Sequence, residues 1–272
     1  MIESYAGELA DEGQGTAVPL CTLQQVTSIA DRTWPAQTRE DVRDTANHAS
    51  CNETWTSVQE EIRSIEFESN RSWFQEILER LIALICLLVF APVMLAVALY
   101  IRMDSPGFPI FSQYRVGKKG RLFRFYKFRT LYVDAKQRFP QLYAYRYSEQ
   151  DLNRLYFKVE DDPRVTRAGR LLRRSTLDEL PNFWNVLAGD MALVGPRPEI
   201  PEMLQYYRPE CLIKFCVKPG VTGLAQISGR GRLLFRQTEE LDALSVTTRS
   251  MHEDLKTILR TVYLIFKMDG AF

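Results

Sequence analysis

An uncharged apolar run, Leu81–Ile101, constrains this chain more than any other feature of the sequence. As a helix, its 21 residues would be about 30 Å long, which is the thickness of the hydrocarbon core of a bilayer. Pro92 lies in the middle of the run, where it removes one backbone hydrogen bond and bends a helix. The run therefore predicts a membrane helix with a central kink.

Basic residues stand on both sides of this run. A helix that crosses a bilayer usually has an excess of Lys and Arg at one end. Positive charge at both ends favours a re-entrant helix whose two ends share the cytoplasmic face. A buried core helix is the alternative, although 21 uninterrupted apolar residues are long for one. The flanking cations are Arg71, Arg80, Arg102, Arg115, Lys118 and Lys119.

Charge divides the chain into two unequal parts. Residues 1–72 hold 13 acidic and 5 basic side chains, a balance of −8, whereas the remainder holds 21 and 30, a balance of +9. The acidic part has little hydrophobic periodicity before residue 50, and we expect it to be largely disordered. Apolar residues recur at helical spacing from Trp55 to Ile65, which predicts an amphipathic helix that is solvated or contacts a partner; the solvated form is favoured.

The basic remainder suits anionic partners such as phosphates, anionic lipids or nucleic acid. The five cysteines have no paired metal-ligand spacing, which is typical of free thiols in a reducing compartment. The two histidines, His48 and His252, lie in segments without other chemistry. Histidine catalysis and a histidine metal cage are therefore disfavoured.

Two short strand-like runs follow the apolar segment. Ile110–Val116 and Arg121–Arg129 flank a Gly-Lys-Lys-Gly turn and predict a β-hairpin. Alternation along the second strand would place Lys127 and Arg129 on the same face.

In a third region, residues 161–198, arginines flank a pair of adjacent carboxylates. Asp162-Pro163 predicts a helix start, and Thr176-x-x-Glu179 resembles a capping box before a short apolar helix that ends at Gly189. Asp178 and Glu179 would then lie near a helix N-terminus, where backbone N–H groups attract anions. Two further segments, Leu212–Val217 and Leu255–Phe266, predict amphipathic helices that lie on a membrane or pack on the core.

This pattern suits chemistry on a phosphate ester. A carboxylate is ionised at neutral pH, so Asp178 could attack phosphorus without a base, and Glu179 could hold a metal or a proton. From spacing alone, two acids that cap a helix beside the arginines are the favoured interpretation. The cations that could stabilise a phosphoryl transition state are Lys127, Arg129, Arg164, Arg170, Arg174 and Arg197.

Several ordered segments of residues 74–272 resemble a known family, the bacterial sugar transferases, also called monotopic phosphoglycosyl transferases. These segments are the proline-containing apolar helix, SPG at 105–107, YKFRTL at 126–131, DPRVTRAGRLLRRSTLDELPNFWNVLAGDMALVGPRP at 162–198, and KPGVTGLAQISGR at 218–230. The chain departs from the family at 245–251, where SVTTRSM places Arg249 near a position that is tryptophan in many members. The acidic extension has no equivalent in the minimal family form.

The resemblance implies an enzyme that transfers a sugar 1-phosphate from a UDP-sugar to polyprenyl (undecaprenyl) phosphate, with release of UMP and use of Mg²⁺. Asp178 would be the nucleophile that forms a phospho-sugar intermediate. Glu179 would assist, and both carboxylates would serve the metal. The residues that would bind phosphates or the nucleotide are Lys127, Arg129, Arg164 and Arg197.

We therefore expect a helix-rich α/β membrane-associated domain with one re-entrant, proline-kinked helix and a small β-hairpin. Residues 1–72 would form the extension, 73–103 the membrane helix and 104–272 the catalytic domain, on the cytoplasmic face of the inner membrane. A homo-oligomer is left open. An inactive membrane scaffold or anionic-lipid binder is the alternative function. Nucleic-acid binding through the arginines would leave the membrane run unexplained, so no nucleic-acid partner is expected.

Overall fold

The computed structural model describes residues 53–67, 71–156, 161–229 and 232–267. These residues form a helix-rich fold with two small two-stranded sheets, which confirms the predicted fold class in outline. The helices within them are α1 (Glu53–Ser64), α2 (Trp73–Asp104), α3 (Ala135–Arg138), α4 (Glu149–Leu152), α5 (Arg167–Ser175), α6 (Asn182–Ala188), α7 (Leu224–Gly229), α8 (Phe235–Thr247) and α9 (Met251–Lys267). The strands are β1 (Ile110–Val116), β2 (Leu122–Phe128), β3 (Ala192–Val194) and β4 (Gly220–Thr222). Short 3₁₀ segments are Lys118–Gly120, Pro140–Tyr143, Leu177–Glu179, Pro201–Tyr206 and Pro209–Cys216.

Helix α2 contains the apolar run and continues through Pro92. Ser72 and Gln75 form a capping box that satisfies donors at its start. Within the described ranges, it is the one helix long and apolar enough to cross a membrane. Only 6% of its most apolar stretch is buried, so the alternative of a buried core helix is wrong. The re-entrant path through a bilayer stays a prediction.

One narrow face of α2 attaches it to the rest of the protein. Ala83 packs in a cluster with Phe123 of β2 and Val186 of α6. Further along, Val97 and Ile101 join a second cluster with residues of β2 and α5. Helix α2 therefore lies against the elements that carry the basic and acidic residues singled out in the sequence.

The predicted hairpin is confirmed. Strands β1 and β2 pair antiparallel with Ile110 opposite Phe128 and Val116 opposite Leu122. The turn between them is the 3₁₀ segment at Lys118–Gly120. Strand β2 ends at Phe128, so Lys127 is its penultimate residue and Arg129 lies just beyond it.

The second sheet pairs β3 and β4 in parallel and brings two distant chain segments together. Gly195 donates its N–H to the Thr222 carbonyl at 2.9 Å, and Gly220 donates to the Pro196 carbonyl at 2.9 Å. A Cβ at Gly220 would lie 2.1 Å from the Gly195 nitrogen, so a side chain there would separate the two backbones. This close approach fixes the 195–198 turn that carries Arg197.

Helix α1 is present as predicted, but its predicted solvated form is wrong. Ile62 is fully buried in a core cluster that includes Phe215 and Phe235. Gln59 donates to the Gly120 carbonyl at 2.7 Å, and Lys119 donates to the Ile65 carbonyl at 2.6 Å. The helix is thus part of the folded unit. The predicted disorder before residue 50 falls outside the described residues, and the domain division at residue 72 stays a prediction.

Between residues 162 and 189, the predicted helix start and the predicted capping box are wrong, whereas the short apolar helix is confirmed. Helix α5 begins at Arg167, with Thr166 as its N-cap, and not at Asp162-Pro163. The capping box at Thr176 is wrong because Thr176 is left-handed, with φ 58°, and its hydroxyl donates to the Ser175 carbonyl. The short apolar helix is confirmed as α6, and it ends at Gly189, where φ is 89°.

The C-terminal segments divide between core and surface. The predicted helix near Leu212 is instead the 3₁₀ segment Pro209–Cys216, which is largely buried and packs on the core. Helix α9 is confirmed; Ile258 packs inward, whereas Leu259 and Tyr263 are more than 60% exposed.

Arg249, the departure from the family pattern, has a structural role before α9. It donates to the Val194 carbonyl at 2.7 Å and pairs with Asp254 at 3.1 Å. Through these contacts it ties the start of α9 to β3.

Replacing Ile62 with alanine should lower the free energy of unfolding by about 2–5 kcal/mol, because a fully buried side chain leaves a cavity. Chemical denaturation in detergent, followed by tryptophan fluorescence, measures this. Glu60→Ala, on the exposed face of α1, is the matched control and should have little effect. Equal stability of the two variants would show that α1 does not pack as described.

Candidate active site

A cavity of about 1710 Å³ contains most of the side chains that the sequence singled out. Asp178 and Glu179 lie on its wall together with Lys127 and Arg197. Apolar residues of the two exposed helices also line it: Ile82, Cys86 and Phe90 from α2, and Ile258, Val262 and Ile265 from α9. The cavity therefore joins a charged region to an apolar one.

The carboxylate pair lies on a chain reversal between α5 and α6. Thr176 closes α5 in the left-handed region, which is uncommon for a β-branched residue. The Glu179 N–H donates to the Thr176 carbonyl at 3.2 Å, which closes the 3₁₀ turn. The reversal sets Asp178 and Glu179 on the cavity wall and keeps them out of a regular helix.

Arg197 contacts Glu179 directly. Its Nη1 donates to Glu179 Oε1 at 3.1 Å. Removal from water lowers the pKa of the guanidinium, but the carboxylates of Glu179 and Asp178 outweigh this and raise it overall. Arg197 therefore keeps its positive charge beside the two acids, and its predicted binding of phosphate stays a prediction.

Lys127 lies close enough to Asp178 to interact with its charge. Burial lowers the pKa of Lys127 from 10.5 to about 8, and the Asp178 carboxylate opposes this shift. Its ammonium also lies 5.5 Å from the centre of the Phe111 ring. The cations that add to the lowering are Arg115, Arg173 and Arg197.

Arg173 is the arginine of α5 that reaches this cluster, and the sequence interpretation missed it. Its Nε donates to Thr130 Oγ1 at 3.3 Å, and its Nη1 lies 3.8 Å from Asp162 Oδ2. Burial lowers the pKa of Arg173, and the charges of Asp162 and, to a smaller extent, Asp178 partly offset this. The candidates chosen from the sequence, Arg170 and Arg174, are exposed. In the structure, Gly169, one turn earlier, packs so closely on Thr130 that a Cβ would lie 2.1 Å from the Thr130 carbonyl oxygen. This contact turns the face of α5 that carries Arg173 towards the cavity.

Arg164 lines the cavity but is bound to a neighbouring acid. Two of its nitrogens donate to Asp162 at 2.8 and 2.9 Å, and its guanidinium lies 5.0 Å from the Tyr143 ring centre. Burial raises the pKa of Asp162, but these hydrogen bonds reverse the shift and lower it overall. Contact of Arg164 with a substrate stays a prediction.

Arg129 does not share the surroundings of Lys127. Its guanidinium donates to the carbonyls of Ser105 and Pro106, and to Ser105 Oγ at 3.0 Å. Gly107 has φ +113°, and a Cβ there would lie 2.5 Å from Arg129 Nη1. Through these contacts, Arg129 stabilises the turn at the end of α2. Binding of phosphate by Arg129 stays a prediction.

A network of buried polar side chains lies behind the 195–198 turn, and the sequence interpretation did not predict it. Lys214 pairs with Asp242 at 2.8 Å and donates to Tyr207 Oη at 2.8 Å. Tyr207 donates to Glu199 Oε2 at 3.0 Å, and Glu199 lies 3.8 Å from Arg115 at the cavity wall. This network connects residues that are far apart in the sequence, so no local sequence pattern predicts it. It anchors the turn that presents Arg197.

The two carboxylates could contribute to a metal site only together with other ligands. In the part of the chain that the structure describes, no group of three or more His, Cys, Asp or Glu side chains could hold a metal ion. Mg²⁺ is commonly held by one or two carboxylates plus the phosphates of a substrate. Since a carboxylate accepts at both oxygens, Glu179 can bind Arg197 and a metal together. Asp178 and Glu179 fit this donor set.

A family model described as "Bacterial sugar transferase" matches residues 70–268. The galactosyl transferase CpsE of Streptococcus agalactiae is 42% identical over 190 residues, which is 70% of this chain and 41% of that protein. The UDP-glucose:undecaprenyl-phosphate glucose-1-phosphate transferase of Caulobacter vibrioides is 37% identical over 206 residues, 73% of this chain and 72% of that protein.

The exopolysaccharide production protein ExoY of Sinorhizobium fredii is 31% identical over 211 residues, 78% of this chain and 91% of that protein. The match spans only about two fifths of the length of some relatives, 41% of CpsE and 37% of an Erwinia amylovora UDP-galactose-lipid carrier transferase. The region outside the match includes α1, which precedes residue 70. From residue 70 to residue 268, the chain belongs to the bacterial sugar transferase family.

Proposed function

We propose that this protein transfers a sugar 1-phosphate from a UDP-sugar to polyprenyl phosphate and releases UMP, as the first membrane step of polysaccharide or glycoconjugate synthesis. One observation carries the proposal: a carboxylate pair among cations lies in a cavity that also reaches the apolar sides of α2 and α9. A charged nucleotide and a lipid phosphate can meet only where such surfaces adjoin. The name of the Caulobacter vibrioides relative describes this type of transfer.

The first half-reaction uses Asp178 as nucleophile. A carboxylate oxygen attacks the phosphorus that bears the sugar, and the bond to the bridging oxygen breaks with its electron pair on UMP. The product on the enzyme is an acyl phosphate that carries the sugar. No base is needed because the carboxylate is already ionised.

The second half-reaction returns the enzyme to its starting state. An oxygen of polyprenyl phosphate attacks the same phosphorus, and the Asp178 carboxylate leaves. A phosphomonoester is largely dianionic at neutral pH, since its second pKa is about 6. Glu179 accepts the remaining proton where the monoanion binds. The product is a polyprenyl diphospho-sugar.

Three cations reduce the repulsion between the nucleophile and the diphosphate. Lys127 and Arg173 interact electrostatically with Asp178, and Arg197 is hydrogen-bonded to Glu179. Because they are fixed before substrate binds, they stabilise charge that develops in the transition state without reorganisation. When bound, Mg²⁺ would neutralise further phosphate charge, held by Asp178 and Glu179.

We further propose that α2 enters the cytoplasmic leaflet of the inner membrane and returns, so that the cavity faces the cytoplasm. Support comes from its exposed apolar surface and from basic residues at both ends. The apolar side of α9 would lie at the same membrane surface.

Asp178→Asn should reduce UMP release from UDP-sugars by roughly 10⁴-fold or more, as removal of other enzymatic nucleophiles does. The assay combines purified protein, Mg²⁺, polyprenyl phosphate and a panel of labelled UDP-sugars. Mass spectrometry of the quenched wild-type reaction should detect the phospho-sugar on the peptide that contains Asp178. Asp161→Asn, an exposed acid upstream of α5, is the control. Robust turnover by Asp178→Asn would refute the mechanism, and an inactive wild type would favour the scaffold alternative.

Arg173→Gln should lower kcat/KM for the UDP-sugar by roughly 10²-fold, because it removes one fixed charge from the phosphate site. Its neighbour Arg174 is exposed, so Arg174→Gln should change kcat/KM by no more than about twofold. Steady-state kinetics of the two variants measure the difference. Similar losses in both would mean that α5 acts as a general basic surface and that Arg173 has no special position.

Activity should also depend on the charge of Lys127. Its pKa is lowered to about 8, so the positive form predominates below that pH and is lost as pH rises through it. Since kcat/KM reports groups of the free enzyme, kcat/KM for the UDP-sugar should fall above about pH 8. In Lys127→Arg this fall should move to higher pH, because an arginine keeps its charge.

The control for this profile is Lys256→Arg, an exposed site on α9, which should leave the pH dependence unchanged. A fall at the same pH in wild type and Lys127→Arg would assign the titration to another group.

A further inference from the structure

Gln226 of α7 lines the cavity but has no role in the mechanism above. Its amide nitrogen and amide oxygen are both buried, and neither has a hydrogen-bond partner among the described residues. A buried amide without partners is costly, because both groups have left water without replacement. This cost is recovered if a ligand supplies both an acceptor and a donor.

The position of Gln226 indicates which part of a ligand would meet it. A Cβ at Gly223 would lie 2.8 Å from Gln226 Oε1 and 2.2 Å from the Gly195 carbonyl oxygen. The amide oxygen thus lies beside the backbone that leads into the 195–198 turn. Arg197 on that turn contacts Glu179. Gln226 is therefore a neighbour of the turn that reaches the carboxylate pair.

The surroundings of Gln226 suit a polyhydroxylated ring. Thr222 is nearly buried, and its hydroxyl oxygen lies 2.7 Å from that of Thr261 on α9. Apolar side chains of Val221 and Ile258, which pack against one hydrophobic cluster, also line the cavity. Hydroxyl and amide groups can bind the edge of a hexose, while apolar side chains contact its C–H faces.

We propose that Gln226 binds hydroxyl groups of the sugar that is transferred and contributes to the choice of sugar. The inference rests on the proposed function. The sugar is attached to the phosphorus that Asp178 attacks, so it must lie next to the carboxylate pair. The nucleobase is separated from that phosphorus by a second phosphate and a ribose. An amide beside the Arg197 turn is therefore placed for the sugar.

The test compares binding of a UDP-sugar with binding of UDP alone. Calorimetry in an Asp178→Asn background prevents turnover. Adding Gln226→Leu, which keeps the size and removes the polar atoms, should weaken UDP-sugar binding about tenfold, as loss of two hydrogen bonds predicts. Affinity for UDP should not change. Ser228→Ala, at an exposed position of the same helix, is the matched control.

Stability and selectivity provide independent readouts. Gln226→Leu should leave the unfolding temperature of the ligand-free protein equal or higher, because it removes a buried unpaired amide. In the otherwise wild-type enzyme, it should reduce the ratio of kcat/KM between UDP-sugars that differ in the orientation of one hydroxyl. Gln226→Glu should also alter this ratio, since it replaces a donor with an acceptor.

Each other outcome overturns the inference in a recognisable way. Equal weakening of UDP and UDP-sugar would assign Gln226 to the nucleotide, and a change confined to KM for polyprenyl phosphate would assign it to the acceptor. Lower stability with unchanged binding would make it a structural amide. If wild-type protein neither binds nor cleaves any UDP-sugar, the proposed function fails as well; if it does both and Gln226→Leu behaves like wild type, only this inference fails.

Discussion

The arrangement of this protein depends on keeping several positive charges close together inside a cavity. Lys127, Arg173 and Arg197 repel one another. Burial is the main cause of the lowered pKa of Lys127, and the charges of the two arginines add to it. Two carboxylates, Asp178 and Glu179, offset this repulsion in the resting protein. A diphosphate would offset it further, so the cluster is built to receive anions. Its charges come from separate elements, and the packing between those elements holds them in place.

The scaffold behind the cluster is organised to resist that repulsion. Lys127 is fixed by the hairpin, Arg173 by the tight contact of α5 with Thr130, and Arg197 by the parallel pairing of β3 and β4. The buried network from Asp242 to Glu199 supports the last of these from within the core. Such fixed charges stabilise a phosphoryl transition state because they need not reorganise when it forms.

The same elements also connect the cluster to the apolar helices. Helix α2 packs on β2, α5 and α6 through one narrow face and leaves most of its surface exposed. An exposed apolar surface of this extent is typical of a site that contacts a membrane or another protein. The cavity extends between the charged cluster and this surface, and the proposed reaction between a nucleotide donor and a lipid acceptor requires this geometry. Helix α1, outside the family match, packs into the core next to the hairpin turn.

The sequence by itself determined the apolar helix, the hairpin, the carboxylate pair and the short helix that Gly189 ends. Each of these features depends on residues close together in the sequence, because hydrophobic spacing and turn-forming residues act within a single segment. The tertiary structure alone decided which cations meet the carboxylates: it selected Arg173 over Arg170 and Arg174, and it directed Arg129 to a turn. It also placed α1 in the core and the amide of Gln226 in the cavity. These outcomes depend on contacts between segments far apart in the chain, where packing and charge balance override local pattern.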